Sequence, residues 1–262
     1  MAEISAIEWT DSTWNPVTGC DKVSPGCKHC YALTFAERWR GTSGHPFEQG
    51  FDLRLWPDRL RMPLEWKKPR RIFVNSMSDL FHQDIPDEFI EKVFQTMSYA
   101  DHHVFQILTK RPERLLDWAL DRYTNGRTGD GKQRWPKNVW IGVSVEMQLY
   151  ASRIDLLRKV PTPNRFISFE PLLGKIKLPK SKLRGIRWAI VGGESGWKAR
   201  PMLPAWVQLL KDSCDDAGVA FFFKQWGTFN ADGERVGKKK SGRLYNGREW
   251  NEAPGVFQTV SA

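Results

Sequence analysis

Cysteine is scarce in this chain, four in 262 residues, and that scarcity excludes a disulfide-stapled scaffold. No run of about 18 apolar residues occurs, so no membrane-spanning helix is expected. The opening MAEISAIEWTDS lacks a basic patch followed by an apolar run, so no secretory signal is expected. These absences point to a reducing, cytoplasmic setting. Acidic residues are also in deficit, 30 against 40 Lys and Arg, leaving a formal charge of +10. That excess favours a polyanionic partner, nucleic acid being the commonest, although a basic but merely solvated surface gives the same count. Tryptophan, in contrast, is abundant at 13 residues. Some must pack a core, and others are available for stacking or for lining a channel.

Apolar residues make up 40% of the chain, ample for a core. They recur as short continuous runs that end in polar residues: Arg71 to Val74, Val104 to Leu108, Val139 to Val143, Arg165 to Phe169, Trp188 to Val191 and Val219 to Phe223. Runs of this kind suit parallel strands buried on both faces. A further first strand is expected between Ile4 and Val17. Helices are expected between the runs, at Asp87 to Ala100 after Pro86, Pro112 to Asp121, Met147 to Arg158, and Pro204 to Ala217 before Gly218. The alternation implies an α/β fold, a partial or complete parallel (β/α) TIM-like barrel with right-handed crossovers.

In such barrels chemistry gathers at the C-terminal strand ends. Here those ends carry Ser76 to Asp79, Thr109 to Arg111, Ser144 and Glu146, Glu170, Gly192 to Ser195, and Lys224 to Trp226. The barrel is expected over residues 1–227. A loop-rich aromatic insertion near 41–68 is placed to cover the pocket. Residues 228–262 read as a small C-terminal appendage, a β-hairpin around Asn246-Gly247 or a tail. The Lys238-Lys239-Lys240 triplet reads either as solvated surface or as a phosphate contact.

Three of the four cysteines fall within eleven residues, Cys20, Cys27 and Cys30, in GCDKVSPGCKHCYA. Three thiolates are one ligand short of a closed tetrahedral site or a fully ligated iron–sulfur cluster. Ser24, Pro25 and Gly26 favour a tight turn between them, and a helix is expected to begin near Lys28, bringing its dipole to the Cys27/Cys30 pair. A [4Fe–4S] cluster with one open iron and a zinc site completed by His29 or a distant histidine are both compatible with the trio. So are three buried thiols. No second Cys-x2-Cys pair is present for a zinc ribbon. Cys214 reads as a buried residue of the last helix.

The cysteine trio, His29 and the following strand series resemble the radical S-adenosylmethionine superfamily, with a first gap of six residues where three is commonest. The segments WNPVTGCDKVSPGCKHCYA, FVNSMSDLFH, LTKRP, FEPLLG and VGGESG are similar to a phage- and prophage-associated family of unknown function. The superfamily resemblance implies that Cys20, Cys27 and Cys30 hold a [4Fe–4S] cluster whose fourth iron chelates S-adenosylmethionine. It implies that Ser76, Ser78 and Asp79 meet the methionine amine, that Ser144 and Glu146 meet the ribose, and that His29 or Tyr31 packs near the adenine. Glu170, Glu194, Lys110 and Lys224 are the candidate catalytic residues on the substrate side. The implied chemistry is generation of a 5′-deoxyadenosyl radical, fed by an external electron donor. With the basic charge, the expected substrate is a nucleic-acid base, nucleotide or modified-base precursor, in DNA modification or repair. The alternatives are a non-catalytic nucleic-acid-binding protein with structural zinc, and a radical enzyme acting on a peptide or small metabolite.

Overall fold

The computed structural model describes residues 5–124 and 133–255. Seven strands form one parallel sheet: β1 (Ser12–Trp14), β2 (Arg71–Val74), β3 (Val104–Thr109), β4 (Val139–Ser144), β5 (Arg165–Phe169), β6 (Trp188–Gly192) and β7 (Ala220–Gln225). Each strand pairs with the next one in the chain. Spatial order that follows chain order turns the sheet continuously in one sense, as right-handed crossovers require. Among the described residues β1 and β7 do not pair. The result is a partial (β/α) barrel.

Helix α1 (Tyr31–Glu37) packs Ala32 and Ala36 against Phe51 and the cysteine loop, and four helices cover the outer face: α2 (Asp87–Tyr99), α3 (Pro112–Arg122), α4 (Arg153–Lys159) and α5 (Pro204–Ala217). In α2, Phe89, Ile90, Val93, Phe94 and Met97 are buried at helical spacing, and Asp87 and Glu88 favour its N-terminus. Helix α5 starts on Pro204 and stops at Gly218, whose φ of 66° is open to glycine. The single helix expected over Met147 to Arg158 is divided into a 3-10 turn, Gln148–Tyr150, and α4. At the start of α4, the Arg153 guanidinium turns back to Ser144 O at 2.8 Å and Glu146 Oε2 at 3.0 Å. Among the described residues no helix is long and apolar enough to cross a membrane.

Strand alternation sorts side chains into two cores. Ile72 and Val74, Phe105 and Ile107, Val139 and Ile141, Ile167 and Phe169, and Phe221 and Phe223 pack outward under the helices. Phe73, Trp140, Phe166, Trp188, Ile190 and Phe222 point into the barrel with Trp9. A Cβ on Gly142 would come within 2.7 Å of the Phe166 ring, so glycine there makes room for it. This aromatic plug fills the lower lumen. Each buried aromatic contributes roughly 2–3 kcal/mol of transfer free energy.

Residues 228–255 lie against the β6–β7 side. Phe223 N donates to Trp250 O at 2.9 Å, and Trp188 Nε1 donates to Glu252 O at 2.8 Å. The expected turn at Asn246-Gly247 forms, with φ of 49° and 77° and a bridge between Tyr245 and Arg248. This segment covers the exposed edge of β7. The far end of the expected appendage, residues 256–262, lies outside the described residues.

Candidate active site

Two residues above the aromatic plug, the same inward alternation brings polar groups to the strand ends. Ser144 follows Trp140 by four, Ser168 follows Phe166 by two, and Lys224 follows Phe222 by two. These residues line a cavity of about 420 Å³ whose floor includes Trp9, Phe73 and Leu108. Its volume falls within the usual range of small-molecule sites, about 300–1,000 Å³.

Cys20, Cys27 and Cys30 all line this cavity, and all are free thiols. Gly19 makes the turn into their loop with φ of 88°, and a Cβ there would come within 2.3 Å of Asp52 O. Phe51, from the insertion near 41–68, also lines the cavity and packs beside Cys20 and Cys30. The helix expected from Lys28 begins instead at Tyr31. Pro25–Cys27 closes a separate 3-10 turn, and Cys30 has an extended ψ of 122° as the N-cap of α1. Cys30 therefore meets the helix N-terminus and Cys27 does not. Burial, and after it the Asp79 carboxylate, pushes the Cys20 thiol up to about 11 against the opposing pull of Arg111. Held so, Cys20 becomes a thiolate when a metal centre binds it.

Among the described residues, the three-residue group whose donor atoms all lie within 4.8 Å of one another is Asp21, His82 and Asp84; the cysteines are not such a group. A single zinc ion with Zn–S of about 2.3 Å would draw its sulfurs to about 3.8 Å. At least one sulfur pair of the trio lies more than 4.8 Å apart. Cys214 is buried in α5, as expected, and lines no part of the cavity.

Two carboxylates pin the cysteine loop. Glu146 is fully buried and does not line the cavity, contrary to the ribose contact expected of it. Its Oε1 accepts from Ser24 Oγ at 2.5 Å and its Oε2 from Arg153. Ser24 Oγ in turn lies 3.7 Å from Cys27 Sγ. Glu194 lines the cavity, but Arg200 engages both of its oxygens, at 2.6 and 2.8 Å. The same guanidinium donates to Pro25 O at 3.0 Å. Gly193 and Gly227 allow this strand end to touch the β7 end: a Cβ on Gly193 would fall 1.9 Å from Trp226 O. Of the glycines in Gly192-Gly193-Glu194, Gly193 thus serves backbone contact, and Gly192 makes room for Glu170, whose Oε1 would lie 2.6 Å from a Cβ there.

The remaining expected residues come together around the cavity. Asp79 accepts from Thr109 Oγ1 at 2.7 Å and from the Phe81 and Lys110 amides at 3.0 and 2.9 Å. Ser76 Oγ donates to Asn15 Oδ1, and Ser78 Oγ to Val17 O. Lys110 Nζ donates to Ser144 Oγ at 3.2 Å and stands 3.9 Å from Glu146. Lys224 Nζ pairs with Glu170 at 3.3 Å. His29 lines the wall, and Tyr31, 58% exposed at the mouth, donates its hydroxyl to Ser76 O. The sequence assigned no role to Asn75, and it placed Gln225 at a strand end without one. Both are buried and line the cavity, and among the described residues neither Asn75 Nδ2 nor Gln225 Oε1 has a hydrogen-bond partner. A signal for Asn75 existed, since asparagine tolerates the positive φ of 59° adopted just after β2.

The fold is similar to solved structures of spore photoproduct lyase. Against one complexed with dinucleoside spore photoproduct the identity is 12% and the TM-score 0.44, over 76% of this chain and 59% of that chain. Against a mutant with bound AdoMet and dinucleoside spore photoproduct the values are 13% and 0.43, over 77% and 60%. The chain therefore spans less than two thirds of the length of these structures. No curated protein matches it. A family model matches residues 4–254, and the chain belongs to that family, described as protein of unknown function DUF5131.

Proposed function

We propose that this protein is a radical S-adenosylmethionine enzyme acting on a nucleic-acid base, nucleotide or modified-base precursor. One observation carries the reading: three free cysteines, among them no disulfide, face one cavity at the C-terminal ends of parallel strands. The donor set fits a cluster with three protein ligands. The unpartnered Asn75 Nδ2 and Gln225 Oε1 fit a polar ligand, because buried polar atoms are otherwise satisfied.

Cys20, Cys27 and Cys30 would hold a [4Fe–4S] cluster. With S-adenosylmethionine bound, that cluster supplies one-electron cleavage of a carbon–sulfur bond to a 5′-deoxyadenosyl radical, the electron coming from an external donor. The chain's own residues do the rest. Asn75, Ser76, Ser78, Ser144, His29 and Tyr31 are the cofactor contacts of this reading. Asp79 and Glu146, already engaged by protein donors, position Arg111 and the cysteine loop. Lys110 and Lys224 offer charge to a substrate phosphate or carboxylate, and Glu170 sets the place of Lys224. The aromatic plug closes the lumen below, which keeps water from a reactive intermediate. The charge of +10 supports the nucleic-acid half of the reading.

The test is anaerobic reconstitution followed by iron and sulfide analysis, absorption spectroscopy and assay of 5′-deoxyadenosine after reduction. About four irons per chain and formation of deoxyadenosine are expected. Stoichiometric zinc with only trace iron overturns the proposal in favour of a structural metal site.

A further inference from the structure

Trp197 is 88% exposed, although a tryptophan side chain gains more than almost any other from burial. Its loop is not free to fold it away. Gly196 N donates to Thr228 Oγ1 at 2.9 Å, and Thr228 Oγ1 donates back to Gly196 O at 3.2 Å. On the other side, Arg235 donates to Ala199 O at 3.3 Å, and Arg200 is fastened to Glu194 and Pro25. Four anchors therefore flank a two-residue tip, Trp197-Lys198, that projects into solvent. Glu194 and Ser195, just before the tip, line the cavity.

Exposed cations neighbour the cavity-lining residues in the chain. Lys198 is exposed, as are Lys22 and Lys28, each next to a cavity-lining residue of the cysteine loop. Among the described residues no ion pair is formed by Lys22, Lys28 or Lys198. Lys238 lines the cavity and is paired with Glu8 at 3.0 Å, while Lys239 and Lys240 beside it are exposed. Of the carboxylates nearby, Glu194 is engaged by Arg200, while Asp21 and Asp84 share His82, at 3.1 and 3.8 Å.

We infer that Trp197 is a stacking platform for one base of a nucleic-acid strand that crosses the cavity mouth, with Lys22, Lys28 and Lys198 meeting its phosphates. An exposed aromatic ring on an anchored loop that leads from the cavity wall, with Lys198 beside it and exposed lysines on the cysteine loop of the same cavity, matches the two things every single strand offers, a π-face and a charged backbone. An acidic peptide offers the charge alone. This inference rests on the nucleic-acid half of the proposed function and names the residues that engage the strand.

The experiment is fluorescence anisotropy of the full chain with a fluorescein-labelled single-stranded oligodeoxynucleotide, titrated at several salt concentrations without S-adenosylmethionine. Wild type binds with a salt slope. Trp197→Ala weakens binding about tenfold at every salt concentration and leaves the slope unchanged, while Trp197→Phe stays within about threefold. Lys22→Ala and Lys198→Ala each reduce the slope by about 0.7. Three results overturn the inference: Trp197→Ala binding as wild type does, binding without salt dependence, or polyglutamate binding as tightly as the oligonucleotide. Deoxyadenosine formation is read separately. If it persists while the strand fails to bind, the radical chemistry stands and this inference falls; if the strand binds as described and no deoxyadenosine forms, the reverse holds.

Discussion

The Arg111 guanidinium lies 3.4 Å from Cys20 Sγ and 3.4 Å from Asp79 Oδ2, so one cation bridges a thiol and a buried carboxylate. Asp79 is itself fixed by Thr109 and by the Lys110 and Phe81 amides. The arrangement aims an N–H at the sulfur from a rigid base. With Cys20 as a ligand of the proposed cluster, a charged donor to its sulfur would favour the more negative, reduced state.

Arg111→Gln therefore lowers the reduction potential of the reconstituted protein, by roughly 50 mV for about 1.2 kcal/mol of lost stabilisation in a one-electron couple. Anaerobic redox titration reads this directly and does not depend on turnover. An unchanged potential, with iron content equal to wild type, rules the tuning role out.

Gly26 lies against the carboxylate of Glu146, where an added Cβ would come within 2.4 Å of Oε1. Glu146 has no room to yield, being fully buried and held by Ser24 and Arg153. Gly26→Ala must then move the turn that carries Cys27. The expected outcome is at least a several-fold loss of bound iron after reconstitution, with the thermal midpoint lowered by only a few degrees. Equal iron loading in Gly26→Ala and wild type contradicts this account of the loop.

The strands and their polar ends were legible because each ends in an abrupt change from apolar to polar residues, as at Phe169-Glu170 and Phe223-Lys224. Helix α5 was legible from Pro204 and Gly218, and the Asn246-Gly247 turn from its residue types. The division of labour among the carboxylates was not. Glu146, Glu170 and Glu194 look alike at strand ends, yet Glu146 meets Arg153, Glu170 meets Lys224, and Glu194 meets Arg200. Arg153 and Arg200 belong to the following helix and loop, and no spacing rule says whether such a residue turns back to its strand. The start of α1 was misplaced for a related reason. Pro25 and Gly26 favour a turn, and the turn closed on itself before the helix began.

Arg200 joins Glu194 to Pro25 O, and Glu194 is buried while Arg200 is partly exposed. Arg200→Met leaves a buried carboxylate without its partner, at a cost of about 2–3 kcal/mol in urea unfolding. The double variant Arg200→Met with Glu194→Gln recovers most of that loss, because no charge then remains buried. If the double variant is as unstable as the single one, the loop contact to Pro25 outweighs the ion pair.

His103 sets a pH dependence far from the cavity. It is fully buried, its Nε2–H donates to Pro63 O at 3.0 Å, and its Nδ1 has no partner among the described residues. Burial, then the neighbouring His102, and more weakly Arg70, lower its pKa from 6.5 to about 4. A proton on Nδ1 would bring a charge and an unsatisfied donor into the core. Between these two pKa values the unfolded chain binds a proton that the folded chain refuses, so stability rises with pH there. The contribution of neutral His103 is complete above about pH 7 and drains away as the pH falls from 6.5 towards 4. Between pH 7 and pH 5 wild type should lose about 2 kcal/mol more than His103→Gln, which keeps a donor for Pro63 O and does not titrate. Urea unfolding at the two pH values checks this, and equal losses in the two proteins would assign the acid sensitivity to other groups.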